Sequence, residues 1–472
     1  MKMINFKHFF YVISVLFVFV SCDKDSLTEE LLDNQKNELL QESQLLDDET
    51  TSRAGLKPIG SGVMMQAFYW DVPGGGNWWN TVRGKVQSWS NAGIDAIWLP
   101  PASKAQNGPF SMGYDPFDFY DFGEFNQMGS TETRFGSRTE LVSLIDRAHN
   151  YGLSVIADIV LNHNSGGDSE YNVFTNSNTY TDYQPMSNKF DRSQYDFHPN
   201  DYHSNDSGAF GGFPDLCHHK SYVQDWLWKR SNSVAKYYKN TMKFDGWRFD
   251  YVKGFEPWVA KEFRNSAGGF GVGEYWDGNV NTLKWWTDNA QMSAFDFACY
   301  YKMKDAFVGG NLNALNGDML WKRNASRAVT FVANHDTDEI YTNKLLAYAY
   351  ILTHEGYPAI FYRDYEEWLN KNKMNNLIWI HNNLAGGNTT NLWTDNDEYI
   401  AKRNGGGGKP GLIVYINNSN SWKERWIQTN WSSQQIKDYT GNSSWQPTTQ
   451  SGQWVKIQAP PKSYSVWSLK FY

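Results

Sequence analysis

Eight short segments of the chain are apolar with little interruption: residues 64–70, 96–100, 154–161, 246–252, 270–275, 294–297, 329–333 and 359–362. Runs of that length without strict polar alternation fit strands buried on both faces, as in a parallel sheet covered by helices. Between most of them lie stretches, among them 81–91, 138–151 and 221–239, whose apolar residues recur at three and four positions and predict amphipathic helices. Strands and helices alternating eight times predict an α/β chain, a (β/α)8 barrel. The pattern lapses twice. Residues 162–220 are rich in Asn, Ser, Gly, Asp and Tyr with little helical period, and an ordered connection of that length is usually functional. After about residue 386, short alternating runs such as 411–416 and 463–469 are separated by Gly, Asn and Ser, the mark of a C-terminal antiparallel β-domain.

Four of the apolar runs stop at residues that can do chemistry. Residues 154–163 read SVIADIVLNH, 246–254 GWRFDYVKG, 269–276 GFGVGEYW and 328–336 AVTFVANHD. Parallel barrels place their chemistry at strand C-termini. Arg248 stands two residues before Asp250, so along a strand both side chains point the same way. A guanidinium that close favours the charged carboxylate a nucleophile needs, although an internal ion pair would show the same spacing.

In this order the four segments resemble the motifs of the alpha-amylase superfamily, glycoside hydrolase family 13. Residues 158–163, carrying Asp158, Asn162 and His163, are similar to the first motif, and Gly246 to Asp250 with Lys253 and Gly254 to the second. Glu274 stands in the third, Asn334-His335-Asp336 in the fourth, and Phe213-Pro-Asp215-Leu resembles a shorter motif of the family's inserted domain. The likeness runs from about Gly62 to the C-terminus and is strongest to plant and hyperthermophilic archaeal members. It implies an endo-acting, retaining hydrolase of internal alpha-1,4 bonds in starch, glycogen or maltooligosaccharides. Asp250 would be the nucleophile, Glu274 the general acid and then base, and Asp336 a ligand of the reacting ring's hydroxyls. His163 and His335 would bind hydroxyls at one subsite, with Arg248 and Gly254 also counted among the substrate-binding residues, Tyr114 would stack under the scissile sugar, and Lys253 and Trp276 would line the leaving-group side. Asp158 would orient Arg248, while Trp70 has barrel packing as an equal alternative.

The resemblance also implies domains: a barrel over 58–161 and 221–385, an inserted domain B over 162–220 and the β-domain over 386–472. It implies calcium between domain B and the barrel, held by Asn162, Asp206, Asp215 and carbonyls near Gly208 and Gly254, hard oxygen donors that suit this ion. The loop from Asn205 to Leu216 is a residue shorter than in the plant members and lacks one of their acids, which leaves the ligand set open. His198, His203 and Cys217 offer donor types that suit zinc, but their spacing fits no common zinc pattern. Three unrelated loop residues are the alternative.

Composition narrows the partners. A net charge of -8 from 43 basic and 51 acidic residues gives no electrostatic reason to expect nucleic acid. Twenty-two tryptophans suit a protein that stacks sugar rings, yet large aromatics also fill cores, and core filling is the expectation for Trp422, Trp426, Trp431, Trp445, Trp454 and Trp467, with starch binding at the surface as the alternative. Lys2, Lys7 and His8 precede the apolar run 9–20, which is too short to span a bilayer and fits a signal peptide over 1–22. Ser21-Cys22 resembles a lipoprotein cleavage site, and the polar stretch 23–57 reads as a tether. An exported, envelope-anchored or secreted monomer is therefore expected. No disulfide is inferred between Cys217 and Cys299, and the run 405–408 is a glycine turn with no cofactor motif around it.

Overall fold

The computed structural model describes residues 55–204 and 208–471. The expected signal peptide, Cys22, nearly all of the tether and Asp206 lie outside the described residues.

Eight parallel strands close into a barrel: β1 (Val63–Gln66), β2 (Ile94–Trp98), β3 (Ser154–Ile159), β4 (Gly246–Phe249), β5 (Phe270–Gly273), β6 (Ser293–Phe295), β7 (Ala328–Phe331) and β8 (Tyr357–Phe361). These are the eight apolar runs. Nearly every strand residue is buried, because one face packs into the barrel centre and the other under the helices. Register places the chemistry side by side: Asp158 pairs with Arg248 across β3 and β4, and Arg248 with Val272 across β4 and β5.

The helices follow their apolar faces. Helix α1 (Trp78–Ala92) buries Trp78, Trp79, Val82, Val86 and Trp89 and stops at Gly93, whose φ of 99° only glycine adopts freely. Helix α2 (Arg138–Asn150) starts at a reciprocal cap, Ser137 with Glu140. The expected helix over 221–239 is not continuous. It is a turn of α-helix (Ser221–Gln224), a π-turn (Asp225–Lys229), a break, and a second helix from Val234 to Asn240. Arg230 is extended, with its guanidinium 3.8 Å from the centre of the Trp226 ring, and this stacking competes with helical continuation.

Two excursions rise from the C-terminal end of the barrel. Residues 162–220 carry a hairpin, Asp168–Asn172 with Ser177–Asp182, over a small core that includes Tyr183, Phe190, Phe197 and Leu216. The connection after β2, between residues 99 and 137, is a second one that periodicity did not announce. It carries a short hairpin, Lys104–Ala105 with Pro116–Asp118. The two dock through Arg192, which donates to the Phe117 carbonyl at 2.6 Å with its guanidinium against the Tyr183 and Phe190 rings.

The C-terminal region forms β9 (Thr389–Thr394), β10 (Glu398–Arg403), β11 (Leu412–Asn417), β12 (Lys423–Gln428), β13 (Ile436–Asp438), β14 (Trp454–Ala459) and β15 (Ser463–Leu469). They pair antiparallel as a five-stranded sheet, β9-β10-β11-β15-β13, and a ribbon, β12-β14. The tryptophan expectation is corrected here. Trp467 fills the core, but Trp422, Trp426, Trp445 and Trp454 stay 37–56% exposed. Along the ribbon Ile427, Val455 and Ile457 take the inward positions, so alternation turns Trp426 and Trp454 outward.

Candidate active site

Arg248 is the hub. Only 1% exposed, it places Nη1 2.8 Å from Asp158 Oδ1 and 2.7 Å from Asp250 Oδ1, and Nη2 2.9 Å from Glu274 Oε1. The Glu274 contact is ionic without hydrogen-bond alignment, so one cation is shared by three carboxyl groups at the ends of β3, β4 and β5. Asp158 also accepts from Trp98 Nε1 at 3.0 Å and Tyr114 Oη at 2.8 Å, so it holds Arg248 and Tyr114 in place from below.

Glu274 faces a different environment. Burial pushes its pKa from the usual 4.5 up to about 8; Arg248 opposes that shift, and the negative charges of Asp250 and Asp336 add to it. Its Oε2 accepts from the Tyr251 amide at 3.1 Å. Tyr251 reaches that position in the left-handed region, φ 42° and ψ 50°, immediately after Asp250. Strain of that kind persists where the surroundings fix it, commonly at functional sites.

Asp336 stands opposite, its side chain 33% exposed to the cleft. Asn334 Oδ1 accepts from the amides of Asp336 and Thr337 at 2.9 and 2.8 Å, which turns the chain after β7 and presents the carboxylate. His335 Nε2 lies 3.1 Å from Asp336 Oδ2 and Nδ1 lies 2.9 Å from Gln66 Nε2. With the Gln66 amide donating to Nδ1, the hydrogen sits on Nε2 and points to Asp336. Burial, with Arg248 nearby, holds His335 well below its ordinary pKa, so the ring is neutral. It stacks on Tyr114 at 5.2 Å and 12°, and Tyr114 on Trp70 at 6.0 Å and 22°.

These groups face a cleft of about 680 Å³. Its mouth is aromatic: Trp70, Phe110, Phe210 and Trp276 are 50, 79, 40 and 38% exposed. Carboxyl groups at the floor and exposed ring faces at the walls can grip a sugar chain and deliver both proton and nucleophile to one bond.

Beside the cleft lies a cradle of oxygens. Asn162 Oδ1 is fully buried without a hydrogen-bond partner, while its Nδ2 donates to the Gly208 carbonyl at 2.6 Å. A Cβ added at Gly208 would sit 2.5 Å from both Asp215 Oδ1 and the Gly254 carbonyl, and one at Gly254 would overlap Asn162 Oδ1. Backbone and hard oxygens therefore converge there, a donor set that fits calcium. Asp215 Oδ2 lies 3.1 Å from His198 Nδ1, and the ligand atoms of His198, His203 and Cys217 all lie within 4.8 Å of one another. Burial raises the Cys217 thiol pKa, but hydrogen bonds with His198 and Asn200 outweigh it and leave the thiol below its ordinary value.

A sequence profile described as "Alpha amylase, catalytic domain" matches residues 74–265, and one described as "Alpha-amylase C-terminal" matches residues 412–468. The chain belongs to the alpha-amylase family. The alpha-amylase of Geobacillus stearothermophilus is 29% identical over 86% of this chain and 87% of that protein. A glucan 1,4-alpha-maltohexaosidase of Bacillus sp. (strain 707) is 28% identical over 87% and 93%. Among solved structures, the Geobacillus thermoleovorans alpha-amylase complexed with acarbose superposes with a TM-score of 0.68, covering 88% of this chain and 99% of that one. At 18% identity that match speaks to the fold alone.

Of the residues singled out in this alpha-amylase chain, Asp250, Glu274, Asp336, Tyr114, Lys253, Trp276 and His335 line the one cleft, with Trp70. Three expected sugar-binding groups do not. Arg248 lies beneath the carboxylates with its nitrogens turned to them. Gly254 closes the oxygen cradle and lies off the cleft. His163 is fully buried against the Phe210 and Phe213 rings, its Nε2 3.0 Å from the Tyr114 carbonyl. Sequence reasoning passed over Phe110, Phe210, Tyr251 and Gln66. Three of these sit in loops without periodicity, and Gln66 is a polar exception inside an apolar run.

Proposed function

We propose that this chain is an endo-acting alpha-amylase that cleaves internal alpha-1,4 bonds of starch, glycogen and maltooligosaccharides with retention. The observation that carries this is the single buried guanidinium holding Asp250 and Glu274 toward one gap while Glu274 keeps its proton to about pH 8. Paired with Arg248, Asp250 attacks the anomeric carbon, and Glu274 protonates the departing oxygen in the same step. The Glu274 carboxylate so formed then takes a proton from water as that water displaces Asp250 from the sugar, which restores both groups. Asp336, oriented by Asn334 and His335, binds ring hydroxyls through this sequence. Asp250→Asn removes the attacking charge and leaves the packing intact. Turnover of a long maltooligosaccharide falls below a hundredth of wild type with an unchanged circular dichroism spectrum; activity above that level refutes the assignment.

Release of maltooligosaccharides of fixed length is a second reading, favoured by the likeness to the maltohexaosidase. Chain length and anomeric form of products over time separate the two.

Alpha-amylases generally bind calcium, and the oxygen cradle fits it. Asn162, Asp215 and the Gly208 and Gly254 carbonyls would hold the ion and fix the wall of the cleft. The Cys217 thiolate with His198 and His203 suits zinc beside it, with Asp215 shared between the two sites. We further propose that the chain is exported as a monomer and anchored through a lipidated Cys22, as the apolar run before Ser21-Cys22 supports. Failure of labelled fatty acid to incorporate would exclude the anchor.

A further inference from the structure

The opposite end of the barrel holds a second cavity, of about 550 Å³, among the starts of β5, β6 and β8, the residues leading into β1 and β7, and the C-terminal domain. Four cationic side chains enter it, Arg264, Arg327, Arg403 and Lys409, against one acid, Glu355. Among the described residues none of the four forms an ion pair with a carboxylate. Glu355 accepts from the Thr389 amide at 2.7 Å, and its single charge leaves the four cations in excess.

The cations are held there chiefly by backbone carbonyls, with Glu355 the one carboxylate among the described residues that acts on them, through its charge on Arg403. Arg403 is 9% exposed, its Nε donating to the Gly387 carbonyl at 2.7 Å and its Nη1 to the Thr353 carbonyl at 3.2 Å. Lys409 Nζ donates to the His381 carbonyl at 2.9 Å, and Arg264 Nη2 to the Gln291 carbonyl at 3.1 Å while its buried Nε has no partner. Burial lowers the pKa of Arg264, Arg403 and Lys409, and in addition Arg327 repels Arg264 and Arg403 repels Lys409. His354 and His381 also line the cavity and are buried to pKa values of about 3, so they add no charge at neutral pH. Gathering unpaired guanidinium groups in a half-enclosed space is costly unless an anion completes it.

We propose that this cavity binds a phosphate monoester dianion, with arginine forks on the phosphoryl oxygens and room for an attached monosaccharide. The site lies across the barrel from the carboxylates and takes no part in bond cleavage.

The full chain is titrated calorimetrically with inorganic phosphate, glucose 6-phosphate and, as a neutral control, glucose, at constant ionic strength set with sodium chloride. Saturable binding of one or both phosphates, none of glucose, and at least tenfold weaker binding in Arg264→Gln and Lys409→Gln, each with wild-type starch hydrolysis, support the site. Tighter binding of the ester than of inorganic phosphate shows that the sugar is held too; equal binding shows a site for the phosphoryl group alone. No saturable binding below about 10 mM, or equal affinity in both folded variants, overturns it.

Discussion

At the scale of single residues, the site is an imbalance of charge: one guanidinium for Asp158, Asp250 and Glu274, with Asp336 close by. Burial raises the pKa of Asp336 to about 6, of Asp158 to about 7 and of Glu274 furthest, to about 8, so Glu274 is the group that keeps its proton to the highest pH. Because its proton is held to about pH 8 when folded against 4.5 as the ordinary value, activity falls on an alkaline limb near pH 8, measured as kcat/KM against pH. That limb belongs to the coupled group of acids and not to Glu274 in isolation. The same shift has a stability sign. Between the two pKa values the folded chain binds more protons than the unfolded one, so stability declines as pH rises through that window. Glu274→Gln therefore abolishes turnover yet raises Tm at pH 8, by roughly 1 °C if it recovers about 1 kcal/mol. A lower Tm than wild type would show that Glu274 is ionised and stabilising. The sequence made the acids at strand ends legible, because a charge that ends an apolar run has few structural uses. It did not reveal depth: whether Arg248 or His163 meets solvent depends on what Phe210, Phe213 and Asp158 cover.

At the scale of elements, the strands were readable because burial on both faces erases polar alternation, and the ribbon tryptophans were misread because their facing depends on register. Glycines in strands add a detail that patterning missed. Gly273, which ends β5 just before Glu274, packs against Trp286 of the helix Val280–Ala290, and a Cβ there would overlap the indole ring. Both residues are fully or nearly fully buried, so the ring has little room to yield. Gly273→Ala is expected to cost about 1–3 kcal/mol from overpacking, read as a fall in the denaturation midpoint, and to lower kcat by displacing Glu274. Trp286→Phe restores space, so the double variant should be more stable than the sum of the two single effects. Strict additivity in that cycle would mean the contact is not the cause. The interrupted helix after residue 220 belongs to the same lesson: its apolar spacing is helical, yet the chain turns extended at Arg230, whose guanidinium lies on the Trp226 ring.

At the scale of the molecule, the cleft is assembled from parts that come from separate stretches of the chain. The barrel supplies the carboxylates, and the loops after β2 and β3 supply the aromatic walls, including Phe110 and Phe210. The oxygen cradle is the clasp between these parts, for Asn162 follows β3, Asp215 ends the excursion and Gly254 follows β4. Its buried Asn162 Oδ1 without a partner is a cost that an ion in the cradle would remove. Removing calcium with a chelator is therefore expected to act on the wall before the catalytic floor. Tm falls by several degrees, and the fall reverses with added calcium according to ligand concentration. Activity is lost mainly as a raised KM, since the floor acids stay fixed by Arg248 while the Phe210 wall loosens. Asn162→Ala should already resemble the chelated enzyme and gain nothing from calcium. If chelation left Tm and KM unchanged, or if Asn162→Ala responded to calcium as wild type does, the clasp would have to be purely a matter of protein packing.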